Sequence, residues 1–148
     1  MDEFLALGRD TRIRVCEETG ARRGISATAI EKDFWVCWTL RALFSLPEIG
    51  ENLTFKGGTS LSKGWQLIGR FSEDIDVVVA RKLLGFDEGN LSGGQIKKLR
   101  RRCSTWIREK LLPELRENVE SLLSTKIGWY IELAELEDDS YVVHRLKV

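Results

Sequence analysis

The sequence predicts an α+β domain in which helices pack against a small mixed β-sheet. Three observations lead to this prediction: long segments with helical spacing of apolar residues, a run of valines at 77–79, and a Gly-Gly turn after a short apolar segment. With 148 residues, of which 43% are hydrophobic and 31% charged, the chain can bury a core. We therefore expect a single domain over residues 1–148.

The N-terminal part, residues 1–47, is predicted to be helical. Residues 2–19 form the first predicted helix, and the glycine-containing stretch TGARRGISA is interpreted as a turn. Thr28 is the predicted N-cap of the second helix, because Glu31 completes the pattern of a capping box. That helix, 29–45, is apolar on most sides and is therefore expected to be buried, and a following proline ends it.

Residues 52–80 are predicted to form a strand, a turn, a short helix and a second strand. LTFKGG is a short apolar strand that stops at two glycines, and TSLSKGWQLIG is interpreted as a helix that Gly64 weakens. EDIDVVVA is the strongest strand prediction in the chain. Its consecutive valines are typical of a central strand that is covered on both faces.

The segment 95–148 is predicted to contain a long basic helix and two strands. The helix covers 95–123, bends near Pro113 and follows the loop LLGFDEGNLSGGQ. The two strands are GWYIELAELE and YVVHRLKV, joined by an acidic turn. Because the second strand reaches Val148, we expect either a fragment truncated at the C-terminus or a naturally short form.

Composition and charge argue against several classes of protein. Lys plus Arg and Asp plus Glu both number 23, so bulk charge indicates neither a nucleic acid nor a membrane as partner. No apolar window reaches the roughly 18 residues of a transmembrane helix, and the first residues lack the pattern of a signal peptide. The three cysteines are interpreted as buried thiols in a reducing compartment. We therefore expect a cytoplasmic prokaryotic protein without a membrane partner.

Asp74 and Asp76 open the valine strand. Side chains two residues apart on a strand point to the same face, roughly 6–7 Å apart along the strand. Carboxylates so placed repel each other, so either a cation lies beside them or one of them carries a proton. Mg²⁺ or Mn²⁺ would suit these oxygen ligands. A D-x-D pair by itself is more often solvated, and its place after a glycine turn is what favours a metal site.

The Gly-Gly turn supplies the other half of the predicted site. Gly57 and Gly58 lack a Cβ, so backbone N–H groups can approach a ligand, and the helix that follows offers further N–H groups and a positive dipole end. Thr59 and Ser60 add hydroxyl donors, and Lys56 and Lys63 add positive charge nearby. A triphosphate held there suits nucleotidyl transfer, in which a hydroxyl attacks the α-phosphate and pyrophosphate leaves.

The stretches ISATAIEKDFWVCWTLRALF and FKGGTSLSKGWQLIGRFSEDIDVVV resemble the AbiEii/AbiGii toxin-like nucleotidyltransferases, a branch of the DNA polymerase β-like superfamily. The first stretch resembles the N-terminal helix of that family with its E-K-D signature, here residues 31–33. The second resembles the G-G-[ST]…D-x-D motif. The resemblance is clearest over residues 25–80. It implies a polymerase-β-like core and a toxin of a type IV toxin–antitoxin or phage-defence system.

The resemblance also implies roles for single residues. It makes Asp74 and Asp76 the catalytic, metal-holding residues of a two-metal mechanism. The residues implied to lie at the nucleotide phosphates are Gly57, Gly58, Thr59, Ser60 and Lys63, with Arg70 as a secondary candidate. The donor would be a nucleoside triphosphate, and the acceptor an RNA hydroxyl, on tRNA in some members, or a protein hydroxyl. A cognate antitoxin protein is the expected partner.

Departures from the family pattern leave alternatives open. Relatives carry a third acidic residue on a later strand, and Glu132 is the substitute that this sequence offers. If that carboxylate is missing, we expect a truncated, non-catalytic module that binds a nucleotide or an antitoxin. RNA binding by the basic helix KKLRRRCSTWIREK is a third hypothesis, with a solvated outer face as the favoured interpretation. Trp65 is interpreted as a packing residue, with contact to a base as the alternative.

Overall fold

The structure is a computed structural model that describes residues 1–65, 74–123 and 127–131. The described residues fall into two compact units. The first draws on Met1–Ser45 and Phe55–Val78, and the second on Leu46–Thr54 and the chain from Val79 onward. Helices dominate both units, and the strands are short. The α+β class is therefore confirmed, whereas the single domain over 1–148 and the polymerase-β-like core stay predictions.

Three helices open the first unit: α1 (Asp2–Ala6), α2 (Arg9–Arg23) and α3 (Ala27–Phe44). The single helix predicted for residues 2–19 is wrong, because Leu7 and Gly8 are extended, with ψ angles of 146° and 155°. This break separates α1 from α2.

The predicted turn TGARRGISA is largely helical. α2 continues through it to Arg23 and ends at Gly24, whose φ of 68° is left-handed. Ile25 then donates its N–H to the Gly20 carbonyl over 3.1 Å. The true turn is therefore shorter than predicted and lies between Gly24 and Ser26.

Ser26, and not the predicted Thr28, is the N-cap of α3. Its side chain accepts a hydrogen bond of 3.1 Å from the N–H of Ala29, and the helix begins at Ala27. Thr28 already lies inside the first helical turn, so it cannot have the extended backbone that a cap needs. The capping-box prediction at Thr28 and Glu31 is therefore wrong by two positions.

Replacing Ser26 with alanine is expected to lower the free energy of unfolding by about 1 kcal/mol, because the N–H of Ala29 loses its acceptor. Thr28→Ala is the matched control and is expected to leave the stability within about 0.5 kcal/mol. Urea unfolding of the two variants measures both values. A larger loss for Thr28→Ala than for Ser26→Ala would contradict this cap.

α3 buries one face rather than all sides. Its buried residues are Val36, Trp38, Thr39, Ala42 and Leu43. Phe44 is 38% exposed, so the expectation of a helix buried all round is wrong. A row of aromatic rings continues from this helix to α1, with centroid distances of 4.4 Å for Phe4–Phe34, 5.3 Å for Phe34–Trp35 and 5.8 Å for Trp35–Trp38.

An ion pair joins the same two helices at the surface. Arg41 donates to both carboxylate oxygens of Asp2, and its Nη1 lies 3.2 Å from Oδ2. This hydrogen bonding lowers the pKa of Asp2 below its ordinary value and raises the pKa of Arg41. The pair therefore fixes α1 on α3 through charge as well as through aromatic contacts.

The cysteines have the environments expected of unreactive thiols. Cys16 is buried, Cys37 and Cys103 are half-buried, and none of the three forms a disulfide in the part of the chain that the structure describes. Burial raises the pKa of the Cys103 thiol and, with a smaller contribution from Glu31, that of Cys16. Because the thiolate is the nucleophilic form, these shifts make both cysteines poor nucleophiles at neutral pH.

Two strands, β1 (Leu53–Lys56) and β2 (Asp76–Val79), pair in a two-stranded sheet. The N–H of Ala80 donates to the Asn52 carbonyl over 2.8 Å at one end, and Thr59 bonds to Asp74 at the other. The strands therefore run antiparallel, and the mixed sheet stays a prediction. Val78 is 45% exposed, so the expectation of a β2 strand covered on both faces is wrong.

The predicted short helix after β1 begins directly at the glycines. A single helical turn, α4 (Gly57–Thr59), continues as the wider π turn Ser60–Gly64, in which the N–H of Trp65 donates to the Ser60 carbonyl over 3.2 Å. The remainder of the predicted helix lies outside the described residues. β1 thus lies where the sequence predicts it, whereas the helix starts two residues before the predicted Thr59, so that both glycines belong to its first turn.

Helices α5 (Gly93–Trp106) and α6 (Leu112–Leu122) make up most of the second unit. Ser92 and Gln95 form a reciprocal capping box at the start of α5, two residues earlier than the predicted start. Between the helices lies a π turn, Ile107–Leu111. It stands next to Pro113, where the bend was predicted, because proline lacks the N–H of a regular helix.

The core of the second unit is formed by leucines and other apolar residues from several segments. Those less than 9% exposed are Leu46, Ile49, Leu53, Leu84, Leu111, Leu112, Leu115, Val119, Leu123 and Ile131. Arg116 donates from Nη2 to the Ile131 carbonyl over 2.7 Å. Residues 127–131 form no regular strand, and the rest of the two predicted C-terminal strands lies outside the described residues. Among the described residues, no helix is long and apolar enough to cross a membrane.

Candidate functional site

The Gly57 backbone lies directly against the side chain of Asp76. A Cβ built on Gly57 would stand 2.9 Å from Cγ and 3.1 Å from Cβ of Asp76, closer than side chains approach each other. Gly57 also has a left-handed φ of 76°. Glycine is the residue that tolerates both the angle and the lack of space. The glycine turn and Asp76, the first residue of β2, therefore meet at one end of the sheet, as the sequence predicts.

Thr59 fastens the turn to the chain that leads into β2. Its side chain is fully buried, and its hydroxyl donates to the backbone carbonyl of Asp74. Ser60 is also buried, at 7% exposure. Both hydroxyl residues therefore lie beneath the turn, while Gly57 is exposed and Gly58 half-buried above them. Their assignment to nucleotide phosphates stays a prediction, and the geometry gives Thr59 a structural contact that the sequence did not indicate.

Asp74 and Asp76 are both exposed, with the half-buried Ile75 between them. Asp76 is the first residue of β2, but Asp74 precedes the strand, so the prediction that both aspartates lie on it is wrong. Neither carboxylate forms an ion pair with any residue in the described part of the chain. A neutralising Lys or Arg among these residues is therefore not what offsets the repulsion between them.

This pair of carboxylates fits a hard divalent cation. Mg²⁺ takes one or two carboxylates and completes its shell with water and phosphate oxygens, so it needs exposed oxygens rather than an enclosed protein cage. Asp76 is exposed beside the Gly57 turn, so its oxygens can be reached by a cation from the solvent. Across residues 1–65, 74–123 and 127–131, however, no third His, Cys, Asp or Glu joins the pair.

The other predicted site residues are less completely described. Lys56 is exposed at the N-cap position of α4, next to Gly57. The side chain of Lys63 and all of Arg70 and Glu132 lie outside what the structure describes. The third carboxylate at Glu132 therefore stays a prediction.

Trp65 does not pack into a core as the sequence predicts. It is 71% exposed at the end of the π turn, and Leu61, one turn earlier, is 42% exposed. Trp38, by contrast, is fully buried and confirms the packing interpretation at its own position. Trp65 thus offers a large apolar side chain to solvent on the helical segment that begins at the glycines.

A helix-rich α+β chain that holds a glycine turn against paired, exposed carboxylates has the features of a nucleotidyl transferase. A model of the nucleotidyl transferase AbiEii toxin family, of type IV toxin–antitoxin systems, matches residues 38–146. Because this match covers more than half of the 148 residues, the chain belongs to that family. No curated protein and no solved structure was found to match the chain.

The matched range contains both the glycine turn and the two aspartates. It extends well past residue 80, beyond the range 25–80 over which the resemblance in the sequence is clearest. It begins after residues 31–33, so the E-K-D stretch on α3 lies outside the match. The membership of the family therefore depends on the segment that carries the candidate site and the chain that follows it.

Replacing Thr59 with valine is expected to lower the free energy of unfolding by about 1–2 kcal/mol, because the Asp74 carbonyl loses its hydroxyl donor. Valine keeps the shape of threonine, so the change isolates the hydrogen bond. Thr59→Ser is the matched control, since it keeps the hydroxyl and loses one buried methyl, worth about 0.8 kcal/mol. Chemical denaturation measures whether Thr59→Val loses more stability than Thr59→Ser. A valine variant as stable as the wild type would show that this hydrogen bond does not contribute to stability.

Proposed function

We propose that this chain is a nucleotidyltransferase toxin that transfers a nucleoside monophosphate from a nucleoside triphosphate to a hydroxyl of RNA, with tRNA as the first candidate, or of a protein. The observation that carries the proposal is the contact between the Gly57 turn and Asp76. It brings the exposed Gly57 and the exposed carboxylate of Asp76 together at one end of the sheet. This combination suits a substrate that has both phosphate oxygens and bound cations.

The glycine turn is proposed to receive the β- and γ-phosphates. The first amides of a helical segment have no acceptor within the helix, so those of the segment starting at Gly57 are available to phosphate oxygens. Lys56 adds an exposed positive charge next to them. Because Thr59 ties the turn to Asp74, the phosphates would be held at a fixed distance from the carboxylates.

Asp74 and Asp76 are proposed to hold Mg²⁺ or Mn²⁺, which when bound would polarise the α-phosphate and stabilise the developing negative charge. The acceptor oxygen forms a bond to the α-phosphorus, and the bond from that phosphorus to the bridging oxygen breaks. Pyrophosphate leaves with the electron pair, and the hydroxyl proton passes to solvent. The role of the chain is to place the α-phosphate beside the acceptor, which lowers the entropic part of the barrier.

A polymerase-β-like core would complete this arrangement, with Glu132 as third carboxylate. Nucleoside triphosphates, Mg²⁺ and RNA occur together in the cytoplasm, which we propose as the place of action. A cognate antitoxin protein would belong to the same system, as the family's membership in type IV pairs supports.

A second candidate is a non-catalytic module that binds a nucleotide or an antitoxin. It is favoured by the lack of a third acidic or metal-binding side chain beside Asp74 and Asp76 in the described part of the chain. Two carboxylates can bind a metal, but they leave fewer ligands to fix the reacting phosphate. The two candidates differ in one respect only, which is turnover.

Transfer of label from α-³²P-labelled ATP, GTP, CTP or UTP to a tRNA preparation, to total RNA or to protein tests the proposal. We expect labelled product with Mg²⁺ or Mn²⁺ and none with EDTA. In parallel, calorimetry measures the binding of each triphosphate to the protein in the presence of the metal. Metal-dependent binding without labelled product would support the non-catalytic module, and the lack of both binding and product would refute nucleotide transfer and nucleotide binding alike.

A further inference from the structure

One face of α5 carries a row of basic side chains. Lys98, Arg101, Arg102 and Thr105 are separated by three or four residues, which places them on one side of the helix. Together they line a surface hollow of about 250 Å³. These four residues are called the α5 basic face. All four are exposed.

No negative charge on α5 offsets this face. The helix has five Lys and Arg residues and no Asp or Glu. None of Lys98, Arg101 and Arg102 forms an ion pair with any residue that the structure describes. Lys110, in the following π turn, does have acidic neighbours, with Glu114 at 3.6 Å and Glu48 at 4.0 Å. Glu48 and Glu114 thus neutralise Lys110 and not the α5 basic face.

The position of these cations is fixed by packing. Leu99, Cys103 and Trp106 lie on the other side of α5 and are half-buried, so this side faces the interior of the second unit. The Arg102 guanidinium lies over Gly85, 3.4 Å from where a Cβ of that residue would stand. Like charges one turn apart repel each other by about 0.2–0.5 kcal/mol per pair. A bound polyanion would remove this repulsion.

The shape of the face favours an extended phosphate chain over a single small anion. From Lys98 to Thr105 the helix rises by roughly 10 Å at 1.5 Å per residue, so the donors form a row. Arginine binds phosphate with two parallel N–H groups, and a threonine hydroxyl is a common donor to the sugar–phosphate backbone. Successive phosphates of one strand present their charges in the same linear manner.

We propose that the α5 basic face binds the phosphate backbone of RNA. The inference rests on the proposed function in one respect, which is that the bound RNA is the acceptor of the nucleotide. RNA binding itself needs neither a nucleoside triphosphate nor the aspartates. Contacts to phosphates carry no sequence information, so the face is expected to position RNA and not to select its sequence.

The test measures the binding of a fluorescent RNA hairpin with a single-stranded 3′ end, by anisotropy, in EDTA and without nucleotide. For K98Q/R101Q/R102Q we expect weaker binding and a salt slope lowered by about two to three, because the variant neutralises that many fewer phosphates. Between 50 and 200 mM salt, the wild type is then expected to lose about 20- to 40-fold more affinity than the variant. Far-UV circular dichroism checks that α5 remains folded, and K98Q/R101Q serves if the triple variant does not fold.

R9Q/R14Q/R23Q is the matched control, since it removes three exposed arginines from α2, a helix that also carries acidic residues. It is expected to retain the wild-type salt slope. An unchanged slope in the α5 variant, or an equal loss in the α2 control, would overturn the proposal. So would tight binding to anionic phosphatidylserine vesicles without binding to RNA. D74N/D76N is expected to keep RNA binding, so that a failure of the proposed catalysis is distinguished from a failure of this inference.

Discussion

Asp76→Asn is expected to lower the rate of nucleotide transfer by about 10²- to 10³-fold. Asparagine has the size of aspartate but lacks its charge, so a divalent cation at the site loses a strong ligand. Charge stabilisation by a bound metal contributes several kcal/mol to the barrier, and each 1.36 kcal/mol corresponds to a factor of ten in rate. Because Asp76 is exposed and has no ion-pair partner in the described part of the chain, stability is expected to change little.

The measurement combines the rate of label transfer with a titration of Mn²⁺, which reports metal binding even if turnover is slow. Asp74→Asn is expected to lower the transfer rate and the Mn²⁺ affinity in the same way, since Asp74 is also exposed. Asp87→Asn is the matched control, because Asp87 is an exposed carboxylate in the loop before α5. If Asp76→Asn keeps the wild-type rate and Mn²⁺ affinity, Asp76 is not a metal ligand.

Local signals predicted the part of the fold that carries the site. A short apolar segment marked β1, consecutive β-branched valines marked β2, and the glycines marked the turn between them. The approach of Gly57 to Asp76 followed from the order of these elements, because a short helix must return the chain to the same end of the sheet. The hydrogen bond from Thr59 to Asp74 was not predictable in this way, since it depends on burial of one particular hydroxyl.

The errors have physical causes as well. At the start of α3, Thr28 was predicted as the N-cap because a glutamate follows it at the third position, whereas the structure has Ser26 as the cap. The left-handed Gly24 is the cause, because it ends α2 and Ser26 after it is extended. At β2, three valines predicted burial on both faces, but burial depends on which other elements cover the strand. Periodicity within the strand itself contains no information on that coverage.

Gly57→Ala is expected to damage both stability and activity. A non-glycine residue at a left-handed φ costs about 1–2 kcal/mol, and the added Cβ would lie 2.9 Å from Cγ of Asp76. Either the Asp76 side chain rotates or the turn moves away from it. We expect the free energy of unfolding, measured with urea, to fall by more than the cost of the backbone angle alone, because the contact with Asp76 adds to it. We also expect a loss of transfer rate of about tenfold or more, since small displacements of reacting groups are costly.

Gly64→Ala is the matched control on the same helical segment, because nothing lies within 4 Å of a Cβ at Gly64 and its φ is not left-handed. There alanine is expected to stabilise the helix, by up to about 1 kcal/mol. The double variant G57A/D76A separates the two causes of damage. If the contact matters, G57A destabilises less in the D76A background, because Cγ and the carboxylate oxygens of Asp76 are gone and only its Cβ, 3.1 Å away, stays close. Equal destabilisation in both backgrounds would show that Gly57 serves the turn alone and that its closeness to Asp76 contributes nothing to the site.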